Sequence, residues 1–231
     1  MKGENFCKIL GIQTSTLIWS IAIIDQEKIL GEYTFDSYER LSKILVPSID
    51  ELAKKLGIQK EDLDGIAVAK GPGLFTGSRM GMSVAKGLAL GLDIPLVGVS
   101  TLDALAFNLS YSDYPICPLI SSRGQDVYSA MYIGLEKTEK ESVFDVEQRL
   151  KKINKPTVFV GEAAIRYKDI IKKKSGKLAI FTPLSLNYIR ASDIAFQALG
   201  KMKKATKLSS LNLNAQYLRP AVDVAAKKRK S

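Results

Sequence analysis

Residues 64–99 read DGIAVAKGPGLFTGSRMGMSVAKGLALGLDIPLVGV, and they are the most informative part of the chain for its architecture. An apolar run leads into the turn Gly71-Pro72-Gly73, a run with helical spacing ends at Gly91, and a second apolar run begins at Pro95. This order predicts a strand, a tight glycine turn, a helix and a second strand, which together form one βαβ unit. A glycine turn before a helix can hold an anion at the helix N-terminus, or it can let the helix pack unusually close to its neighbour.

The residues before this unit predict an antiparallel meander followed by a helix. Apolar runs at 8–12, 18–24 and 29–35 are separated by turns short enough for hairpins. A helix over 38–56 follows, because its apolar positions recur every three or four residues. With the βαβ unit, the first hundred residues therefore have the order βββαβαβ, in which crossovers join a meander to parallel strands.

The second half again mixes strands and helices, which favours two lobes, each a sheet with helices, over one continuous sheet. After a helix over 101–109, strands are predicted at 116–121, 127–133, 157–160 and 178–181, helices at 163–173 and 191–203, and an extended segment at 216–218. We divide the chain into a first lobe at 1–109, a second lobe at 110–224 and a basic tail at 225–231 that is expected to be disordered. The last helix of the second lobe could pack back on the first.

The composition excludes several classes of protein. The chain has 231 residues, of which 46% are hydrophobic and 8% aromatic, as in ordinary globular proteins with a sizeable core. It contains no histidine, so histidine triads, histidine bases and histidine metal ligands are excluded. Cys7 and Cys117 are too few for a disulfide framework. No apolar run reaches the roughly 18 residues of a membrane span, and no secretory pattern opens the chain, so we expect a cytoplasmic protein.

The charge is unevenly distributed along the chain. Residues 1–150 contain 15 Lys and Arg against 20 Asp and Glu, whereas residues 151–231 contain 19 against 4, and the whole chain has a net charge of +10. Such asymmetry is typical of a surface for nucleic acid or for an acidic protein. The alternative is an ordinary solvated surface, which we favour on charge alone because no aromatic residue interleaves the lysine runs.

The helix of the βαβ unit carries two stripes of different character. Gly77, Gly81 and Ala85 recur every four residues, and small residues allow a close approach of two backbones. Met80, Val84 and Leu88 form an apolar stripe beside them. This pattern predicts one face on the sheet and one face against another helix, either within the lobe or on a partner.

Several of these motifs together resemble the TsaB (YeaZ) family. The resemblance is dense over residues 7–106 and thinner beyond, where it depends on Arg123 to Tyr128, Gly161-Glu162 and Tyr217-Leu218-Arg219. The motifs that carry it are IleLeuGlyIleGlnThrSerThr at 9–16, LysGlyProGlyLeuPheThrGlySerArgMetGly at 70–81, AlaLysGlyLeuAla at 85–89 and IleProLeuValGlyValSer at 94–100.

The resemblance implies an α/β protein of the ASKHA (actin/Hsp70-like) architecture, with two RNase H-like lobes of mixed sheets and a reduced second lobe. It implies a non-catalytic partner of the enzyme TsaD in threonylcarbamoylation of the adenosine next to the anticodon of tRNA. ATP and a metal would belong to the partner subunits, TsaE would join the complex, and the chain alone would form a homodimer. The basic second half is a candidate surface for tRNA.

The resemblance also implies that the two helices of the first lobe form the partner interface. The same surface would serve the homodimer or, alternatively, the heterodimer with TsaD. The residues we assign to it are Leu41, Leu45, Ile49, Leu52, Gly77, Met80, Gly81, Val84 and Leu88.

The sequence departs from the family pattern at three places that bear on catalysis. Gln13 stands where many members have Asp, and Leu41 where many have His. In the second lobe, where many members have Asp ahead of Arg, this chain has Ser121-Ser122-Arg123. Because an amide is a poor substitute for a carboxylate ligand of Mg²⁺, these changes weaken the alternative function, an ATP-dependent small-molecule kinase of the ASKHA class. They leave only candidate vestigial phosphate turns at Thr14, Ser15, Gly71 and Gly73. A metallopeptidase is weaker still, since the chain has no histidine.

Overall fold

The computed structural model describes residues 8–205 and 212–219, which form two five-stranded mixed sheets. The first sheet has the order β3-β2-β1-β4-β5, in which β1 and β2 are antiparallel whereas β1, β4 and β5 are parallel. The second has the order β10-β9-β6-β7-β8 and again joins an antiparallel meander to parallel strands. The strands are β1 (Ile9–Gln13), β2 (Trp19–Ile24), β3 (Ile29–Phe35), β4 (Gly65–Ala69), β5 (Leu96–Val99), β6 (Ile116–Ser121), β7 (Asp126–Ile133), β8 (Glu136–Asp145), β9 (Thr157–Val160) and β10 (Ala179–Phe181).

Helices cover both faces of each sheet in the described part of the chain. The helices in the described residues are α1 (Leu41–Lys55), α2 (Phe75–Leu92), α3 (Thr101–Phe107), α4 (Val146–Leu150), α5 (Glu162–Arg166), α6 (Lys168–Ser175) and α7 (Ala191–Met202). None of them has the length and apolarity that a bilayer crossing requires.

The alternation of residues along β1 sets which helices lie on which face of the first sheet. Leu10 and Ile12 point into the core beneath α1 and α2, whereas Ile9 points into the core shared with α3 and α7. That second core continues into the other sheet through residues such as Ile116 and Val158, so α3 and α7 lie between the two sheets. Because α7 packs on β1, β2 and β4, a helix from late in the chain is held against the first sheet.

Three elements of the second lobe differ from the sequence-based prediction, among them the short helix α4, which was not predicted. The strand β8 was not predicted, because its residues EKTEKESVFD are mostly charged and show no apolar alternation. It is an edge strand, where charged side chains are common since one side of the strand faces water. The predicted helix over 163–173 is two helices, α5 and α6, which are separated at Tyr167. The proposed tail at 225–231 and Cys7 lie outside the described residues.

The second lobe buries one arginine completely. The Arg149 side chain is fully buried, pairs with Glu139, and donates to the carbonyl of Ala130 at 2.9 Å and to Sγ of Cys117 at 3.3 Å. A buried guanidinium is tolerated only when its N–H groups have acceptors, and these contacts supply them. Cys117 is a buried free thiol that serves here as an acceptor.

The first turn of α7 contains a carboxyl group whose ionisation opposes folding. Burial raises the pKa of Asp193 to about 6, although Nδ2 of Asn108 donates a hydrogen bond to it at 2.7 Å. A group with a raised pKa in the folded state contributes stability that is complete below about pH 4 and is lost as the pH rises through about 6.

We therefore expect Asp193→Asn to gain stability relative to the unchanged chain as the pH increases from 4 to 7. The relative gain is at most about 3 kcal/mol, from a shift of about two pKa units. Urea denaturation of both chains at pH 4, 5, 6 and 7.5 measures it. A difference between the two unfolding free energies that stays constant over this range would contradict the assignment.

Candidate functional site

The glycine turn packs against the β1–β2 turn. Gly71 has a φ of +97°, which favours glycine, and the amide of Leu74 donates to the carbonyl of Ser15 at 2.7 Å. A Cβ on Gly73 would lie 2.2 Å from the same carbonyl oxygen. The glycines therefore permit contact between two backbones, which is the second of the two uses open to such a turn.

The polar groups of the β1–β2 turn are held by contacts within the protein. Oγ1 of Thr14 donates to the carbonyl of Gly77 at 2.8 Å, and Oγ of Ser15 accepts from Oγ1 of Thr101 at 3.3 Å. In the side-chain amide of Gln13, Oε1 accepts from the Ser15 N–H and Nε2 donates to Oγ1 of Thr16. Thr14 and Ser15 are fully buried. The side chains predicted as a vestigial phosphate turn thus shape the turn and hold α2 in place.

The structure corrects most of the residues that we assigned to the partner interface. Their stripes face the sheet and not solvent, because a helix on a sheet buries its most apolar stripe there. The four α1 side chains are at most 3% exposed, and the two glycines of α2 are buried against Thr14 and Ile12. The residues wrongly placed on a surface are Leu41, Leu45, Ile49, Leu52, Gly77 and Gly81.

The three remaining residues belong to a half-exposed face of α2. Met80, Val84 and Leu88 are partly buried against the core, and Gly87 and Gly91 are exposed beside them on the same side of α2. These five positions span an arc of about 100° on the helix. We call these five positions the helical face. Nothing lies within 4 Å of a Cβ placed on Gly87 or Gly91, so the helix backbone is open to a close approach.

A cleft of about 410 Å³ separates the two lobes. Its walls are mainly apolar, and Ser121 and Glu162 are among the polar groups. The Glu162 carboxylate accepts from the Ser121 N–H and, at 2.9 Å, from its Oγ. Among the described residues, no group of three His, Cys, Asp or Glu side chains is placed to hold a metal ion.

Residues 212–219, which we call the C-terminal strap, connect the two lobes. The amide of Gln216 donates to the carbonyl of Lys70 at 2.6 Å, and its Nε2 donates to Glu141 of β8, also at 2.6 Å. Arg219 then pairs with Asp126 of β7. Sequence reasoning predicted an extended segment at 216–218 but assigned it no contacts, since no local pattern indicates where such a segment packs.

Comparisons with known proteins agree with this architecture. The family model described as TsaD, tRNA N6-adenosine threonylcarbamoyltransferase, matches residues 33–229. A Bacillus subtilis (strain 168) protein named tRNA threonylcarbamoyladenosine biosynthesis protein TsaB is 31% identical over 210 residues, which cover 88% of this chain and 91% of that protein. The protein of the same name from Escherichia coli (strain K12) is 30% identical over 176 residues, which cover 72% and 76% of the two chains.

Solved structures show the same fold. YeaZ from Pseudomonas aeruginosa superposes with a TM-score of 0.74 at 20% identity, covering 91% of this chain and 99% of that chain. The ethanolamine utilization protein EutJ from Carboxydothermus hydrogenoformans has a TM-score of 0.54 at 13% identity, covering 81% and 88%. The predicted fold class, an α/β protein of actin-like architecture with mixed sheets, is confirmed.

Proposed function

Because the chain belongs to the TsaB family, we propose that it acts in the biosynthesis of threonylcarbamoyladenosine in tRNA, as the non-catalytic partner of a TsaD-type transferase. Its role would be to hold that enzyme in an active arrangement. ATP and a metal ion would be bound by the partner subunits and not by this chain. A TsaE-type protein would join the complex, and the basic second half of the chain would add surface for tRNA.

The helical face is the single observation that carries this proposal. It exposes apolar side chains beside two glycines, and an apolar surface of this kind is stabilised when another protein covers it. The open backbone at Gly87 and Gly91 allows a partner helix to approach closely. The same face would form the homodimer when the transferase is absent, so that the two partners compete for it.

The proposed lack of catalysis is supported by how the polar groups near the cleft are used. Gln13, Thr14 and Ser15 are committed to hydrogen bonds within the protein, and Gln13 carries no charge to offer a metal ion. The Glu162 carboxylate is engaged with Ser121. A phosphoryl-transfer enzyme needs such groups free to hold a nucleotide and its Mg²⁺, so the kinase alternative is disfavoured.

Reconstitution of the tRNA modification with and without this chain tests the proposal. With a TsaD-type transferase, a TsaE-type ATPase, tRNA and threonylcarbamoyl-adenylate, we expect incorporation of labelled threonine into tRNA to fall to background when the chain is omitted. A Ser121→Ala chain should restore full incorporation, because a non-catalytic subunit does not need cleft hydroxyls. Undiminished incorporation without the chain would contradict the proposed role.

A further inference from the structure

A second candidate site lies at the N-terminal end of α2, on the side of the helix away from the helical face. Here the strap passes between the glycine turn and the 121–123 turn and encloses a cavity of about 180 Å³. Its lining includes Phe75, Tyr128, Tyr217 and Arg123, and Arg79 stacks on Phe75. We call these five residues the aromatic–arginine pocket.

The aromatic rings of this pocket are held in place although they are exposed. The rings of Phe75 and Tyr217 lie 4.9 Å apart between centroids, and the Arg79 guanidinium lies 3.8 Å from the Phe75 centroid. Nε of Arg79 also donates to the Tyr217 hydroxyl at 2.8 Å. Phe75 and Tyr217 are nevertheless 44% and 43% exposed. Rigid, exposed ring faces of this kind are typical of stacking surfaces for planar ligands.

The polar groups around the rings favour an anion. Arg123 is exposed, and within the described residues no acceptor is seen for its guanidinium, whereas Arg219 is neutralised by Asp126. Oγ of Ser122, which also lines the cavity, is buried without a hydrogen-bond partner among the described residues. A ligand that supplies both a planar ring and a negative group would therefore satisfy the rings, the guanidinium and the hydroxyl together.

We propose that the aromatic–arginine pocket binds one unpaired nucleotide of an RNA strand. The base would stack on the exposed rings, and Arg123 and Arg79 would contact the flanking phosphates, as in proteins that bind single strands. The cavity is smaller than the roughly 300–1,000 Å³ of small-molecule sites, so it accommodates one planar group while the strand continues outside. An acidic peptide would use the arginines but not the ring faces. The inference depends on the proposed function in that the RNA would be the tRNA of that pathway.

Fluorescence anisotropy of a labelled, unpaired RNA oligonucleotide with the full chain tests the proposal. We expect Arg123→Ala and Phe75→Leu each to weaken binding about tenfold, the effect of losing one stacked base or its cation. Arg123→Lys should recover only part of the affinity, because it keeps the charge without the planar group. Lys54→Ala, which removes an exposed cation from α1 and lies outside the basic second half, is the matched control and should change the affinity less than twofold.

Several results would overturn this assignment. They are an unchanged chain that does not bind the oligonucleotide, a loss in Lys54→Ala equal to that in Arg123→Ala, or displacement of the RNA by polyglutamate as effective as by unlabelled RNA. Thermal melts should show that the variants remain folded. Copurification of the same variants with the TsaD-type transferase separates the two proposals. A pocket variant that still copurifies with the transferase but no longer binds RNA supports the pocket. If the unchanged chain itself does not copurify with the transferase, the proposed function is contradicted and the pocket is not.

Discussion

Val84→Asp is expected to abolish copurification of the chain with a TsaD-type transferase and to reduce tRNA threonylcarbamoylation to background. Val84 lies at the centre of the helical face and is half-buried before any partner arrives. A carboxylate there would be buried without a cation in the complex, at a cost of several kcal/mol. At about 1.4 kcal/mol per tenfold, the affinity would fall by a factor of about 100 or more. Titration calorimetry with the purified transferase measures this loss.

Two further variants show whether the loss belongs to the interface or to the fold. Leu90→Asp places the same charge on the same helix, about 120° around it from Val84, where the side chain is 58% exposed, and should bind like the unchanged chain. Gly87→Gln fills the open space of the helical face without a charge and without touching the core. It should fold normally yet bind weakly. If Val84→Asp and Gly87→Gln both retain the transferase, the helical face is not the interface.

The first lobe was predicted well from the sequence, because the spacing of apolar residues along a strand or helix reflects which side of that element is buried. The strands β1 to β5 and the helix α2 were predicted, because their apolar residues recur at strand or helix spacing wherever one side of the element is buried in the first sheet's core. The same periodicity led to the error in the interface. Leu45 and Ile49 recur with helical spacing because they face the core, so they are buried. The surface open to a partner combines the predicted stripe of Met80, Val84 and Leu88 with Gly87 and Gly91, which interrupt the apolar pattern.

The residues of the aromatic–arginine pocket could not be grouped from local sequence patterns, for a different reason. Phe75, Arg123 and Tyr217 lie far apart in the chain, and only the strap and the closure of the two lobes bring them to one cavity. The lysine runs of the second half contain no aromatic residue. The aromatic rings of the pocket lie instead beside Arg79 and Arg123, which belong to no charged run. The fold, and not the local sequence, brings these groups together.

Of the two uses open to the glycine turn, anion binding and close packing of the helix, the structure supports close packing. The backbone amide of Leu74 donates to the Ser15 carbonyl, and Gly73 lies against the same carbonyl, so the start of α2 is fixed close to the β1–β2 turn. The position of the helical face therefore depends on the small residues behind it. Stability and partner binding should be linked through this contact, and they can be separated by substitutions on opposite sides of α2.

Gly77→Ala is expected to lower the free energy of unfolding by about 3 kcal/mol, although alanine is the better helix former. The new Cβ would lie 2.1 Å from the carbonyl oxygen of Thr14 and 3.0 Å from the ring of Tyr38. Because the first contact is with backbone, α2 or the β1–β2 turn must move. For a domain of this size the melting temperature should fall by roughly 10 °C. Urea denaturation and thermal melts measure both quantities.

Gly87→Ala is the matched control, since it makes the same substitution ten residues along the same helix. Nothing lies within 4 Å of its Cβ, so the only effect on the isolated chain is the gain in helix propensity, about 0.5–1 kcal/mol of added stability. In the complex its methyl group would stand between the helical face and the partner, so affinity should fall while stability rises. The free energy of unfolding should fall for Gly77→Ala and rise for Gly87→Ala if Gly77 faces the β1–β2 turn and Gly87 faces a partner. Equal changes would mean that the glycines matter only through helix propensity, and the close contact with Thr14 would then have no energetic role.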